Sequence, residues 1–172
     1  VPYTDLLRVT VFLTGAEATV LGTITALGVA RTDESNALIV AAAWWLIAAA
    51  IGFYLGRPSR AADGVRDALA AARTATSLPS ELPSRIAMGR LWPIGVTAVA
   101  AGVLGFFFPG VTAIAAGYAL LVSLAWHSRE AAVLAIEQRD GTKFYVVPNS
   151  ALRPIQLVRA PGLRSDRLGT RP

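Results

Sequence analysis

Apolar positions fall in four blocks separated by charged stretches, and the longest block runs 37 residues, from Leu91 to His127, without an Asp, Glu, Lys or Arg. Within it LWPIGVTAVAAGVLGFFF and VTAIAAGYALLVSLAWH are apolar on every helical face, with Pro109-Gly110 between them. A hydrocarbon core of about 30 Å takes about 20 helical residues, with about 17 as the lower limit. The two runs therefore fit two short membrane crossings. Proline's missing N–H and glycine's open backbone predict a tight turn at Pro109-Gly110. The competing reading is a buried hairpin in a soluble bundle. Apolarity on all faces at this length argues against it.

Two more apolar blocks predict helices over 9–30 and 37–56, joined by a polar loop, RTDESN, at 31–36. The first is too long for the apolar core of a signal peptide and carries Glu17 in its middle. The chain opens on Val1 rather than Met, which leaves open processing or a leader ahead of it. Between the second and third blocks, residues 57–90 are polar. There Ala61–Ser77 predicts a helix with Val65, Leu69 and Ala72 on one face, lying on the membrane surface or in solvent. Two prolines in Leu78–Pro83 end it.

After His127 the spacing alternates. Ala132–Gln138 reads as a strand, Arg139-Asp140-Gly141 as a turn and Thr142–Val147 as the returning strand, with Leu134 and Ile136 opposite Phe144 and Val146. Pro148-Asn149-Ser150 breaks the run, Ile155–Val158 adds a short third strand, and Ala160–Pro172 reads as an extended or disordered basic end. A lone two-stranded hairpin is marginal in water, so this tail is expected to dock on the helices, on the 57–90 segment or on a partner. The expected fold is an all-α membrane protein. It comprises a four-helix transmembrane domain over 1–127 (helices 9–30, 37–56, 91–108 and 111–127, linker 57–90) and a cytoplasmic β-hairpin with a basic tail over 128–172.

Composition agrees: 54% of residues are hydrophobic, 16% are charged and the net charge is +5. The basic residues are unevenly placed. Segments 1–8, 57–90 and 128–172 hold 1, 6 and 8 of the 16, while the two intervening loops hold only Arg31. That asymmetry predicts a multi-pass bacterial inner-membrane protein with both termini cytoplasmic. Basic residues flanking membrane segments point to anionic lipids rather than nucleic acid as partners. With no cysteine, disulfides, thiol catalysis and Cys-ligated metals are excluded.

The first helix is the most polar of the four. Thr10, Thr14 and Glu17 share a face, and small residues follow at Gly15, Thr19, Gly22, Thr23 and Ala26. Small and hydroxylated residues let helices approach closely in lipid, and an intramembrane carboxyl rarely faces lipid. Two readings of Glu17 stay open: a proton or ligand site, or a protonated carboxyl that bonds a neighbouring helix and fixes assembly. In the apolar hairpin, Gly95, Ala98, Ala101, Gly102 and Gly105 are expected to meet Ala113, Ala116, Gly117 and Ser123. Trp92, Trp126 and His127 are expected at one membrane face as interfacial anchors. The Trp44-Trp45 pair sits mid-helix, where it packs on a partner helix or lipid tails.

No phosphate-binding loop or nucleophile elbow is present, and the single histidine, His127, reads as a polar interface residue. Asp63 and Asp67 can bind a metal but, beside Arg60 and Arg66, read as surface ion pairs. Catalysis, cofactors and metals are therefore not expected.

Arginine makes up fifteen of the sixteen basic residues and alanine is abundant, which suggests a GC-rich bacterial genome. The tail, through EQRDGTKFYVVP and PIQLVRAPG directly after an apolar hairpin, resembles that of small four-helix membrane proteins of actinobacteria. It is also similar to the accessory membrane subunit of mycobacterial Mce-type lipid importers. That resemblance covers about a fifth of the chain and implies a subunit packed beside a permease, with no chemistry of its own. The expected function is thus a non-catalytic accessory subunit of a larger inner-membrane complex for lipid transport. The alternatives are a small homo-oligomeric transporter or channel using Glu17, an accessory subunit of a respiratory complex, or a lipid-modifying enzyme or regulator.

Overall fold

The computed structural model describes residues 1–32, 35–74, 83–148, 151 and 155–161. The order is α1 (Tyr3–Thr32), α2 (Ser35–Leu55), α3 (Pro58–Ala70), β1 (Arg73–Thr74), α4 (Pro83–Phe107), α5 (Pro109–Trp126), α6 (Arg129–Asp140), β2 (Thr142–Val146) and β3 (Leu157–Pro161). Four stretches are long and apolar enough to cross a membrane, within α1, α2, α4 and α5, the last continuing into α6. Large apolar side chains such as Phe12, Val40, Leu46, Val99 and Phe106 point away from the protein. Such a girdle is stable when lipid covers it, because no water then has to order around it. The chain is a multi-pass membrane protein.

Helix α5 is the centre of the bundle, packed most extensively on α1 and then on α2, with α4 against α1 and α5. Close approach on α2 rests on Gly52 and Gly56, one turn apart: a Cβ on Gly52 would come 2.9 Å from both Leu121 O and Leu124 Cβ, and one on Gly56 would collide with Leu124 O. The expected tight α4–α5 turn lies elsewhere. The break is at Phe108, whose extended backbone (φ −134°, ψ 89°) precedes Pro109 at the start of α5. Proline suits a first helical turn because the N–H it lacks has no intrahelical partner there. Pro109-Gly110 therefore opens a helix instead of forming the turn.

At one end of the bundle the chain builds a second core. Tyr3, Leu6 and Leu7 of α1, Val65 and Leu69 of α3, Ile86 of α4, Val133 of α6, Phe144 and Val146 of β2 and Leu157 of β3 are buried together. The first turns of α1 and α4 thus belong to this core, where the sequence suggested a lead-in before residue 9 and a helix start at 91. Helix α3 presents Ala61, Val65 and Leu69 inward, so its apolar face lies on protein. The core does not divide at residue 128, since it takes side chains from both sides of that position.

The region after His127 departs from expectation. Arg129–Asp140 is a helix, not a strand. Its Ala, Leu, Glu, Gln and Arg residues favour helix, and Gly141, at φ 61° and ψ 27°, supplies the left-handed cap. Leu134 and Ile136 therefore do not pair with Phe144 and Val146. β2 instead pairs antiparallel with β3, from Thr142 opposite Pro161 to Val146 opposite Leu157. The short third strand is thus the hairpin partner, two to three residues later than expected. β1 adds in parallel on the other side of β3, so the expected helix over 61–77 stops at Ala70 and its end joins the sheet. Pro2 bridges Tyr145, and Val146 N–H donates to Val1 O at 2.9 Å, which ties the start of α1 to this sheet. Most of the Leu78–Pro83 breaker, the break at Asn149-Ser150 and the basic end beyond Pro161 lie outside the described residues.

Candidate functional site

Helix α1 carries the polar groups of the bundle. Thr10 and Thr14 are buried, and each hydroxyl donates to a carbonyl one turn back: Leu6 O at 2.8 Å and Thr10 O at 2.9 Å. This satisfies the hydroxyls inside the helix and leaves a compact face for α5. There Ser123 Oγ donates to Val11 O at 3.2 Å, and a Cβ on Gly15 would come 3.3 Å from Ser123 Oγ.

Glu17 is half-buried. At 3.6 residues per turn it falls on one flank of the buried stripe formed by Thr10, Thr14, Leu21 and Thr25. Its carboxyl has no hydrogen bond or ion pair among the described residues. Its depth follows from the helix pairing. Val11 and Gly15 are level with Ser123, about one turn inside Trp126, and Glu17 is about one turn deeper. At 1.5 Å per residue that places it roughly 10 Å along the bundle from Trp126, within the apolar span of α1. On the opposite flank of α1 lies an open groove of about 390 Å³, lined by Gly15, Thr19, Gly22, Ala26 and neighbours, with Trp45 as a wall.

The expected glycine pair separates. A Cβ on Gly102 would meet nothing within 4 Å, so Gly102 is not a point of close approach. Gly117 is one, but toward α2: a Cβ there would collide with the Trp44 indole. Ala101 and Ala116 do meet, in a small cluster with Leu21. The tryptophan pair works as a clamp. Trp45 Nε1 donates to Ala113 O at 2.9 Å, Trp44 Nε1 donates to Ile114 O at 3.3 Å, and Trp44 packs edge-on to Tyr118 with ring centroids 5.3 Å apart. Nothing about the indole positions alone revealed this, because it depends on helix phase.

Other contacts between helices had no distinct sequence signal. Thr25 Oγ1 donates to Thr112 Oγ1 at 2.9 Å, fully buried, and Thr112 fills the space where a Cβ on Gly105 would lie. Ser128 donates to Gly56 O, which fastens the α5–α6 junction to the end of α2.

This end of the bundle is aromatic and basic. Arg57 and Arg60 lie 5.0 and 4.3 Å from the Tyr54 ring, Arg60 Nη2 donates to Tyr54 Oη at 2.8 Å, and Arg129 lies 4.6 Å from the Trp126 ring. Trp92 is 52% exposed on α4, and His127 is exposed with Nδ1 3.4 Å from Ser128 Oγ. Asp63 pairs with Arg66 at 3.6 Å in solvent. Among the described residues no three His, Asp or Glu side chains gather around a possible metal position. Scans of protein-family models, curated proteins and solved structures found no match to this chain.

Proposed function

We propose that this chain is a non-catalytic accessory subunit that assembles with a larger partner, such as a permease, in a bacterial inner membrane. The observation that carries the proposal is Glu17: a carboxyl at hydrocarbon depth, half-buried on the flank of α1, with no partner among the described residues. An intramembrane acid is costly against lipid and normally faces protein or water. A helix of another subunit, laid along this flank, would supply the missing hydrogen bond. The 15-to-1 distribution of basic residues orients the end that bears α3, α6 and the sheet toward the cytoplasm. Lipid transport of the Mce type is the process suggested by the resemblance of the tail.

The test is purification from native membranes in mild detergent through a C-terminal tag, read by mass spectrometry. Large subunits should co-purify in fixed ratio with the wild type and with Glu17→Gln, which keeps a hydrogen-bonding group, and should be lost with Glu17→Leu. Self-association alone would instead favour a homo-oligomeric transporter in which Glu17 lines the path. Recovery of respiratory subunits would keep the accessory role and change the process.

A further inference from the structure

We infer that the crevice where α2 turns into α3 and α5 turns into α6 is a binding site for the phosphodiester headgroup of an anionic phospholipid. It rests on the membrane placement of the helices and is independent of the assembly proposed above. The crevice holds about 380 Å³ and has two unlike halves. Leu55, Leu121 and Val122 form the half toward the spans, and Arg60 and Arg129 form the half toward water, with Asp63 and Trp126 also on its walls. An acyl chain fits the first half and a phosphate the second.

The charges favour an anion. Arg57, Arg60 and Arg129 have no carboxylate partner among the described residues, while the one acid in the crevice, Asp63, is already paired with Arg66. Their guanidiniums rest on Tyr54 and Trp126, which leaves N–H groups free for a bidentate phosphate contact. The two aromatic rings set the level at which headgroups lie. The frame is stiff, since Gly52 and Gly56 pack α2 directly on α5 and Ser128 bonds Gly56 O. A free phosphate would use only the basic half. The apolar floor is what commits the site to a lipid.

Native mass spectrometry of the full chain, released from micelles carrying equal amounts of phosphatidylglycerol and phosphatidylcholine, tests this. The wild type should retain phosphatidylglycerol selectively. Arg60→Gln with Arg129→Gln should cut that selectivity about thirtyfold, since each basic side chain near an anionic surface contributes roughly a factor of five. Arg139→Gln with Lys143→Gln removes the same charge at positions away from the crevice, and should leave selectivity unchanged. Thermal unfolding of each variant in detergent separates loss of fold from loss of the site. Equal retention of both lipids by the wild type would overturn the inference. So would equal losses from the two double variants, or full displacement of the lipid by millimolar inorganic phosphate.

Discussion

Removing the Phe144 side chain should release the core at the end of the bundle without harming the spans. Phe144 is fully buried, at the centre of a cluster that joins α1, α3, α4, α6 and the sheet. Its N–H donates to Glu137 Oε1 at 3.0 Å, a bond that Phe144→Ala leaves in place. The perturbation is thus the ring alone. Truncating a buried Phe to Ala costs about 3–5 kcal/mol, from lost transfer energy and the cavity left behind. At 1.4 kcal/mol per tenfold, the open population of this core rises by roughly two to four orders of magnitude. Limited trypsinolysis in detergent reads that population when reclosing outpaces cleavage. Cutting at Arg139 and Lys143 should accelerate at least about a hundredfold. Leu134→Ala, on the exposed side of α6, should change the rate only a few-fold. A Phe144→Ala rate within about threefold of the wild type would refute the single shared core.

Gly117→Val should loosen α2 by about 1–3 kcal/mol through overpacking against Trp44 and shift tryptophan emission, whereas Gly102→Val, with open space at its Cβ, should leave emission unchanged. Thr112→Val should cost about 0.6 and at most about 1.7 kcal/mol in unfolding from micelles, because the Thr25 hydroxyl can turn its one proton to Leu21 O, 2.9 Å away. Arg8→Gln, which removes an exposed contact to Glu130, should lower the unfolding temperature only slightly, and the difference should vanish in high salt.

The spans were legible because length and apolarity are properties of each segment alone. The apolar face of α3 was legible in part: Val65 and Leu69 recur at helical spacing, but Ala72 was expected beside them where Ala61 is buried, and the face was expected on the membrane surface or in solvent, not on protein. The region after His127 was misread because Asp140-Gly141 serves both a hairpin turn and a helix end. Six residues of alternation in Ala132–Glu137 weigh less than the helix preference of the alanines, Leu134 and Glu137. The glycine contacts needed helix phase and partner identity. Gly102 and Gly117 look alike in sequence, yet one meets empty space and the other meets Trp44. Thr25 and Thr112 are ordinary threonines until the α1–α5 register brings their hydroxyls together. Glu17 was visible as an acid in an apolar run; its lack of a partner required the fold.

The assembly role of Glu17 is tested most directly by tagged purification of wild type, Glu17→Gln and Glu17→Leu from native membranes. The account predicts fixed-ratio recovery of larger membrane subunits with the first two and their loss with Glu17→Leu, while all three unfold at the same temperature in detergent. Undiminished recovery with Glu17→Leu would contradict it.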